Sequence, residues 1–257
     1  MKFIDTHSHL YHKNFLADWD AVLERTQETC SHVFLPNVDL KSMPRMHLLA
    51  DQHPDLFFPM MGLHPCDVKE NFRDILTEME AAFSQRKYLG VGETGLDYYW
   101  DKTLVAEQKE SLRIQIEWAK VKSLPLILHC RDSMDDVIEI VQQNQDGRLK
   151  GIFHCFNGNA MQAEKIVAEG FLLGVGGVLT YKNSGLDVAL KNISMDYLVL
   201  ETDSPYLTPV PHRGKRNESS YVKFVAEKLA EMKGVDISEI AEKTGMNALT
   251  VFGISRG

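Results

Sequence analysis

Short apolar runs recur along the chain, and each breaks off into a polar or ionisable residue. They lie at 3–4, 32–35, 57–61, 88–92, 125–128, 151–153, 171–175 and 197–200. Most do not alternate with polar residues, the pattern of strands buried on both faces, as parallel strands wrapped by helices must be. Between them, the spacing predicts helices over 18–30, 42–53, 72–85, 104–122, 134–145, 161–169 and 185–191. In the first of these Trp19, Val22, Leu23 and Thr26 share one side, and in the longest Leu112, Ile116 and Ala119 recur at helical spacing. Ser42 can cap its helix, with Pro44 in the first turn where proline is tolerated, and Gly170 closes another. Two or three helices, at 221–233, 237–244 and 248–252, end the chain. Eight strand–helix units in 257 residues match an α/β fold of the (β/α)₈ barrel type, with a doubly wound open sheet as the rival. No Pro/Gly/Ser-rich linker divides the chain, so residues 1–257 are expected to form a single domain.

Composition narrows the class. A hydrophobic fraction of 44% with 25% charged residues is ordinary for a globular protein, and no apolar run approaches the roughly 18 residues of a membrane span. No signal peptide is expected at Met1, and no membrane or obligate protein partner is called for. Cys30, Cys66, Cys130 and Cys155 form no Cys-x-x-Cys pair and read as reduced thiols in a cytoplasmic protein. A formal charge of −8 argues against non-specific coating of nucleic acid, but leaves room for a nuclease with a local basic patch.

The candidate chemistry lies where the apolar runs stop. Phe3-Ile4 gives way to Asp5, His7 and His9, and residues two apart in an extended segment present their side chains to one side. Glu93, His129, His154 and Asp203 occupy the corresponding positions after runs four, five, six and eight. In a barrel those C-terminal ends converge on one mouth. Four imidazoles and two carboxylates exceed one tetrahedral ion and suit two divalent ions bridged by a carboxylate and a water. Histidine-rich ligation suits zinc or manganese.

The runs 3–10, 62–65, 92–100, 128–132, 153–158, 198–207 and 213–218 together resemble the TatD family of metal-dependent hydrolases and deoxyribonucleases, within the amidohydrolase-like TIM barrels. The resemblance implies one metal on His7, His9, Glu93 and Asp203 and the other on Glu93, His129 and His154. It also implies nuclease activity supported by magnesium, with digestion of DNA from the three-prime end. Three positions depart from the family pattern. Tyr11 stands where an acid or amide is expected, Cys66 where a histidine is, and Ser219 where proline is usual.

On this reading Glu93 bridges the ions, and Asp203 is both ligand and acceptor of a proton from the attacking water. His64, Arg131 and Arg213 are candidates to hold a phosphate, and Asp97 to orient a ligand. Tyr98, Tyr99, Trp100 and Tyr206 are expected to stack bases, with Arg213, Lys215 and Arg216 meeting the backbone. Glu201 reads as structural, Gly174, Gly176 and Gly177 as room for backbone close to the pocket, and Cys130 and Cys155 as turned away from it. The function expected is a metal-dependent deoxyribonuclease that attacks single-stranded DNA by a two-metal-activated hydroxide. The alternatives are a hydrolase of a small carboxyl ester, lactone or amide, and an inactive metal-binding barrel.

Overall fold

The computed structural model describes residues 1–100 and 102–255. Strands and helices alternate as β1 (Phe3–Asp5), α1 (Trp19–Thr29), β2 (Cys30–Pro36), α2 (Met43–Gln52), β3 (Phe57–Met60), α3 (Phe72–Ala82), β4 (Val91–Asp97) and α4 (Val105–Lys122). They continue as β5 (Leu126–Arg131), α5 (Met134–Asn144), β6 (Gly151–Phe153), α6 (Ala160–Ala168), β7 (Phe171–Val175), α7 (Leu186–Leu190), β8 (Leu198–Leu200), α8 (Val222–Lys233) and α9 (Ile237–Phe252).

Every strand pair is parallel, in two arcs running β1-β2-β3 and β4 through β8 in order. Two seams join the arcs into a barrel. At one, Gly92 N–H donates to Met61 O at 2.8 Å. At the other, Thr6 N–H donates to Leu200 O at 3.0 Å and Asp203 N–H to His7 O at 2.9 Å. Asp5 belongs to this second seam and not to a metal site. Its carboxylate accepts from Thr202 N–H at 2.9 Å and Thr202 Oγ1–H at 2.6 Å.

The strands sort their apolar side chains by alternation. Ile4, Phe34, Met60, Ile127, Ile152 and Val199 point inward and meet Ala248, Val251 and Phe252 of α9. The Phe252 ring stacks on Phe34 with centroids 3.6 Å apart, so α9 seals one end of the barrel. Val33, Leu35, Leu126, Leu128, Phe153 and Leu198 point outward into the larger core under the helices.

Two elements differ from the pattern in the sequence. The fourth strand does not stop before Glu93 but runs through it to Asp97. Gly92 explains the continuation. Its φ is +150°, and a Cβ there would lie 2.7 Å from the backbone O of Ile127, so glycine lets β4 press against β5. The segments 237–244 and 248–252 are one helix, α9. Gly245 sits inside it facing Ile4, and Asn247 donates to Met195 O at 2.7 Å and Leu198 O at 2.8 Å.

Candidate metal centre

The same alternation that fills the barrel with Ile127, Ile152 and Val199 puts His129, His154 and Glu201 two residues further along, at the end opposite α9. His7 and His9 follow β1 along the seam, where His9 N–H donates to Ser204 O at 2.7 Å. Asp203 turns into the same space with φ +55°, a left-handed conformation that aspartate tolerates better than most residues. His7, His9, Glu93, His129, His154 and Asp203 are thereby brought together, and all but His129 and Asp203 are fully buried.

Glu93 divides the cluster. Its Oε2 lies 3.1 Å from His7 Nε2 and 3.4 Å from His9 Nε2, and Asp203 Oδ1 lies 3.5 Å from that same His9 nitrogen. Its Oε1 lies 2.9 Å from His129 Nδ1, 3.1 Å from His154 Nε2 and 3.4 Å from His64 Nε2. One carboxylate thus offers one oxygen to each of two groups of imidazoles.

What stands behind each ring decides what its front nitrogen can do. His129 Nε2 faces Asp97 Oδ2 at 3.0 Å, which keeps that proton, so Nδ1 donates to Glu93 in the charged ring and carries the lone pair in the neutral one. Asp97 Oδ1 meanwhile accepts from Tyr99 and Trp100 N–H at 2.9 and 3.1 Å, so one side chain holds both the ring and the loop. His154 Nδ1 lies 3.3 Å from Glu201 Oε1. Glu201 is therefore more than structural filling: it stands behind an imidazole of the centre, and it also accepts from Cys155 N–H at 2.5 Å. A Cβ at position 174 would overlap Glu201 Oε2, so Gly174 opens space for this carboxylate. His64 is the opposite case. Its Nδ1 accepts from Cys66 N–H at 3.1 Å, so the proton sits on Nε2, and the ring presents a donor to the cluster.

The electrostatics favour a cation. Burial opposes ionisation of Glu93, yet His154, His7 and His64, with the hydrogen bond from His129, hold it well below the usual carboxylate range. Asp203 is lowered too, against burial, by the hydrogen bond that His9 donates when its ring is charged and by the charges of His154 and His7. The carboxylates in turn overcome burial to raise His129, and to raise His154 well above its ordinary value, whereas burial and the neighbouring His154 lower His7. Among the described residues no lysine or arginine pairs with Glu93 or Asp203. One buried and one part-buried acid, balanced by imidazoles alone, form a nitrogen–oxygen donor set that fits divalent metal ions.

The profile of the family described as TatD related DNase matches residues 4–253. The chain belongs to the TatD family. A protein of Bacillus subtilis (strain 168) named as an uncharacterized metal-dependent hydrolase, YabD, is 38% identical over 98% of this chain and 99% of its own. A TatD protein of Pectobacterium carotovorum named as a 3'-5' ssDNA/RNA exonuclease is 28% identical over 91% of this chain and 92% of its own. The crystal structure of YJJV, a TatD homologue from Escherichia coli K12, superposes with a TM-score of 0.92 at 30% identity, over 98% of each chain.

The three departures from the TatD pattern all touch the centre's supports. Tyr11 lies beside His9. Cys66 places its thiol by Asp97, where burial and that carboxylate push it up to about 12. Ser219 Oγ meets Ser8 Oγ at 3.1 Å, beside the Thr202–Asp5 seam.

At the rim, Arg131 stacks over Tyr99 at 3.9 Å and Arg213 over Tyr181 at 4.2 Å, and among the described residues neither forms an ion pair. Tyr99, Trp100 and Tyr206 are exposed. Tyr98 is not available for stacking in the same way, because its hydroxyl is bound to Asp136 at 2.7 Å. Arg216 also differs from expectation: it is clamped to Asp18 by two 2.7 Å bonds and covers the Phe15 ring. Cys130 packs in the shell under the helices, but Cys155 is not turned away from the centre as expected: burial and the charges of Glu201, Asp203 and Glu93 push its thiol up. No helix among the described residues is long and apolar enough to cross a membrane.

Proposed function

We propose that this metal-dependent hydrolase of the TatD family is a deoxyribonuclease that shortens single-stranded DNA from its three-prime end, using two divalent ions. The observation that carries the reading is the split of Glu93, with Oε2 toward His7 and His9 and Oε1 toward His129 and His154. One ion would be held by His7, His9, Glu93 and Asp203, the other by Glu93, His129 and His154. Such ions, whether zinc, manganese or magnesium, supply positive charge at the scissile phosphate and lower the pKa of water.

The chain's own residues supply the rest. Asp203 is the more open acid, its side chain 13% exposed against 3% for Glu93, so it is the one placed to take a proton from water entering at the mouth. His64 presents Nε2–H to the same space and suits a phosphoryl oxygen. Arg131 and Arg213, free of carboxylates among the described residues, offer forks to a phosphate backbone. Exposed Tyr99, Trp100 and Tyr206 offer faces to unpaired bases. A duplex is too wide to bring a buried phosphate to this depth, whereas the end of a single strand can enter.

The test is an oligonucleotide labelled at its five-prime end, run beside a blunt duplex, a carboxyl ester and a lactone, with and without divalent metal. Metal-dependent shortening of the single strand as a ladder, with a slower duplex, supports the reading. Rapid internal cutting of a closed circular duplex without a ladder would refute it, and turnover of the ester or lactone alone would point to the small-molecule alternative.

A further inference from the structure

We propose that Tyr11 is a positioning residue that locks the His9 imidazole in the one tautomer able to hold a divalent ion. The inference rests on the two-ion reading of the centre. Tyr11 is 6% exposed, and its hydroxyl has a single proton. That proton goes to the backbone: Tyr11 Oη–H donates to Pro36 O at 2.5 Å. The phenolic oxygen is left as an acceptor, and the group 2.8 Å away is His9 Nδ1. His9 must therefore donate through Nδ1–H. The lone pair of its neutral ring then resides on Nε2, which faces Glu93 Oε2 at 3.4 Å and Asp203 Oδ1 at 3.5 Å. The rings of His9 and Tyr11 meet edge to face, with centroids 5.7 Å apart, so the phenol also limits rotation of the imidazole.

The chain Pro36 O, Tyr11 Oη, His9 Nδ1 has no slack. Pro36 ends β2, its carbonyl position is set by the barrel, and no other buried donor reaches the phenol among the described residues. His129 and His154 have carboxylates, Asp97 and Glu201, behind them. His9 instead has a phenol, which fixes the tautomer without adding a further negative charge beside Glu93 and Asp203. A phenylalanine at position 11 would keep the ring and the edge contact while removing the acceptor.

The experiment compares the full-length protein with Tyr11→Phe, loaded with zinc. Chelator competition gives the dissociation constant of each ion, and ¹⁵N–¹H spectroscopy of the zinc-loaded protein reports the His9 Nδ1 proton. The expected result is a roughly 10- to 100-fold weaker hold on one ion with the second unchanged, and loss of a slowly exchanging His9 Nδ1–H signal seen in the unsubstituted protein. Unchanged dissociation constants in the variant would overturn the inference, as would a zinc-loaded unsubstituted protein whose His9 carries its proton on Nε2. Equal weakening of both ions with a lowered melting temperature would overturn it too, since that reports damage to the fold. Failure of the two-ion reading itself is seen separately, as an unsubstituted protein that takes up fewer than two equivalents of zinc, and it removes the basis of the inference with it.

Discussion

Replacing Glu93 by glutamine tests the centre most directly, because the substitution keeps the shape and removes the symmetry of the carboxylate. Glu93 presents an oxygen to His7 and His9 on one side, and to His129 and His154 on the other, all at 2.9–3.4 Å. Glutamine has one oxygen and one NH₂. Whichever way the amide turns, one group of imidazoles faces a donor in place of an acceptor, and neither faces a negative charge. At least one of two ions should be lost per chain, and turnover should fall by at least ~100-fold, the scale for losing one preorganised charge-stabilising group. Elemental analysis of the purified variant, beside its turnover of a single-stranded oligonucleotide at saturating metal, measures both. The amide fits the same cavity, so a normal melting curve is the control. Two ions per chain with near-normal turnover would show that the bridging argument is wrong.

Other expectations follow from what each group touches. Burial pushes the Asp5 carboxyl up from its ordinary 3.8 to about 7, so the folded chain holds this proton more tightly than the unfolded one. The resulting stability is complete below about pH 4 and is lost as pH rises toward 7, by up to about 4 kcal/mol. Asp5→Asn, which cannot titrate, should gain on the parent between pH 4 and 8 in urea melts; parallel curves would remove the argument. Replacing Cys130 and Cys155 together by alanine should leave metal content unchanged while lowering stability by about 1–3 kcal/mol, and loss of one equivalent of metal would reassign the ligands. Arg213→Ala should weaken single-strand binding and reduce the slope of log affinity against log salt by about 0.7, as expected when one phosphate contact is lost. Arg216→Ala should instead lower stability and leave that slope alone, since Arg216 is clamped to Asp18.

Much of this was legible in the sequence for a physical reason. Parallel strands buried on both faces must be apolar throughout, so 125–128 and 151–153 stand out, and the polar residue after each marks the barrel mouth. In the sequence the fourth strand reads as ending at Gly92, because glycine looks like punctuation, whereas Gly92 and Gly95 both lie against β5. The sequence divides α9 because Gly245 and Asn247 resemble a break, whereas one faces Ile4 and the other ties the helix to Met195 and to Leu198 at the start of β8. Within the centre, His7, His9, Glu93, His129, His154 and Asp203 could be picked out by position. The roles of Glu201 and Tyr11, and the difference between His64 and the other imidazoles, could not. They depend on what lies behind a ring, which spacing along the chain does not encode.

The stacked pair Phe34 and Phe252 carries a consequence for traffic through the protein. With α9 stoppering the far end, the barrel is a cul-de-sac: whatever enters at the mouth and whatever is released must pass through the same doorway. On the proposed nuclease reading, a liberated nucleotide would compete for exit with the strand that shed it, and the strand would have no channel through which to be drawn. Digestion in such a vessel is expected to proceed by repeated visits, with the shortened strand withdrawing between cuts. A mixed population of strands should accordingly shorten together, and none should be consumed to its end while others stay whole.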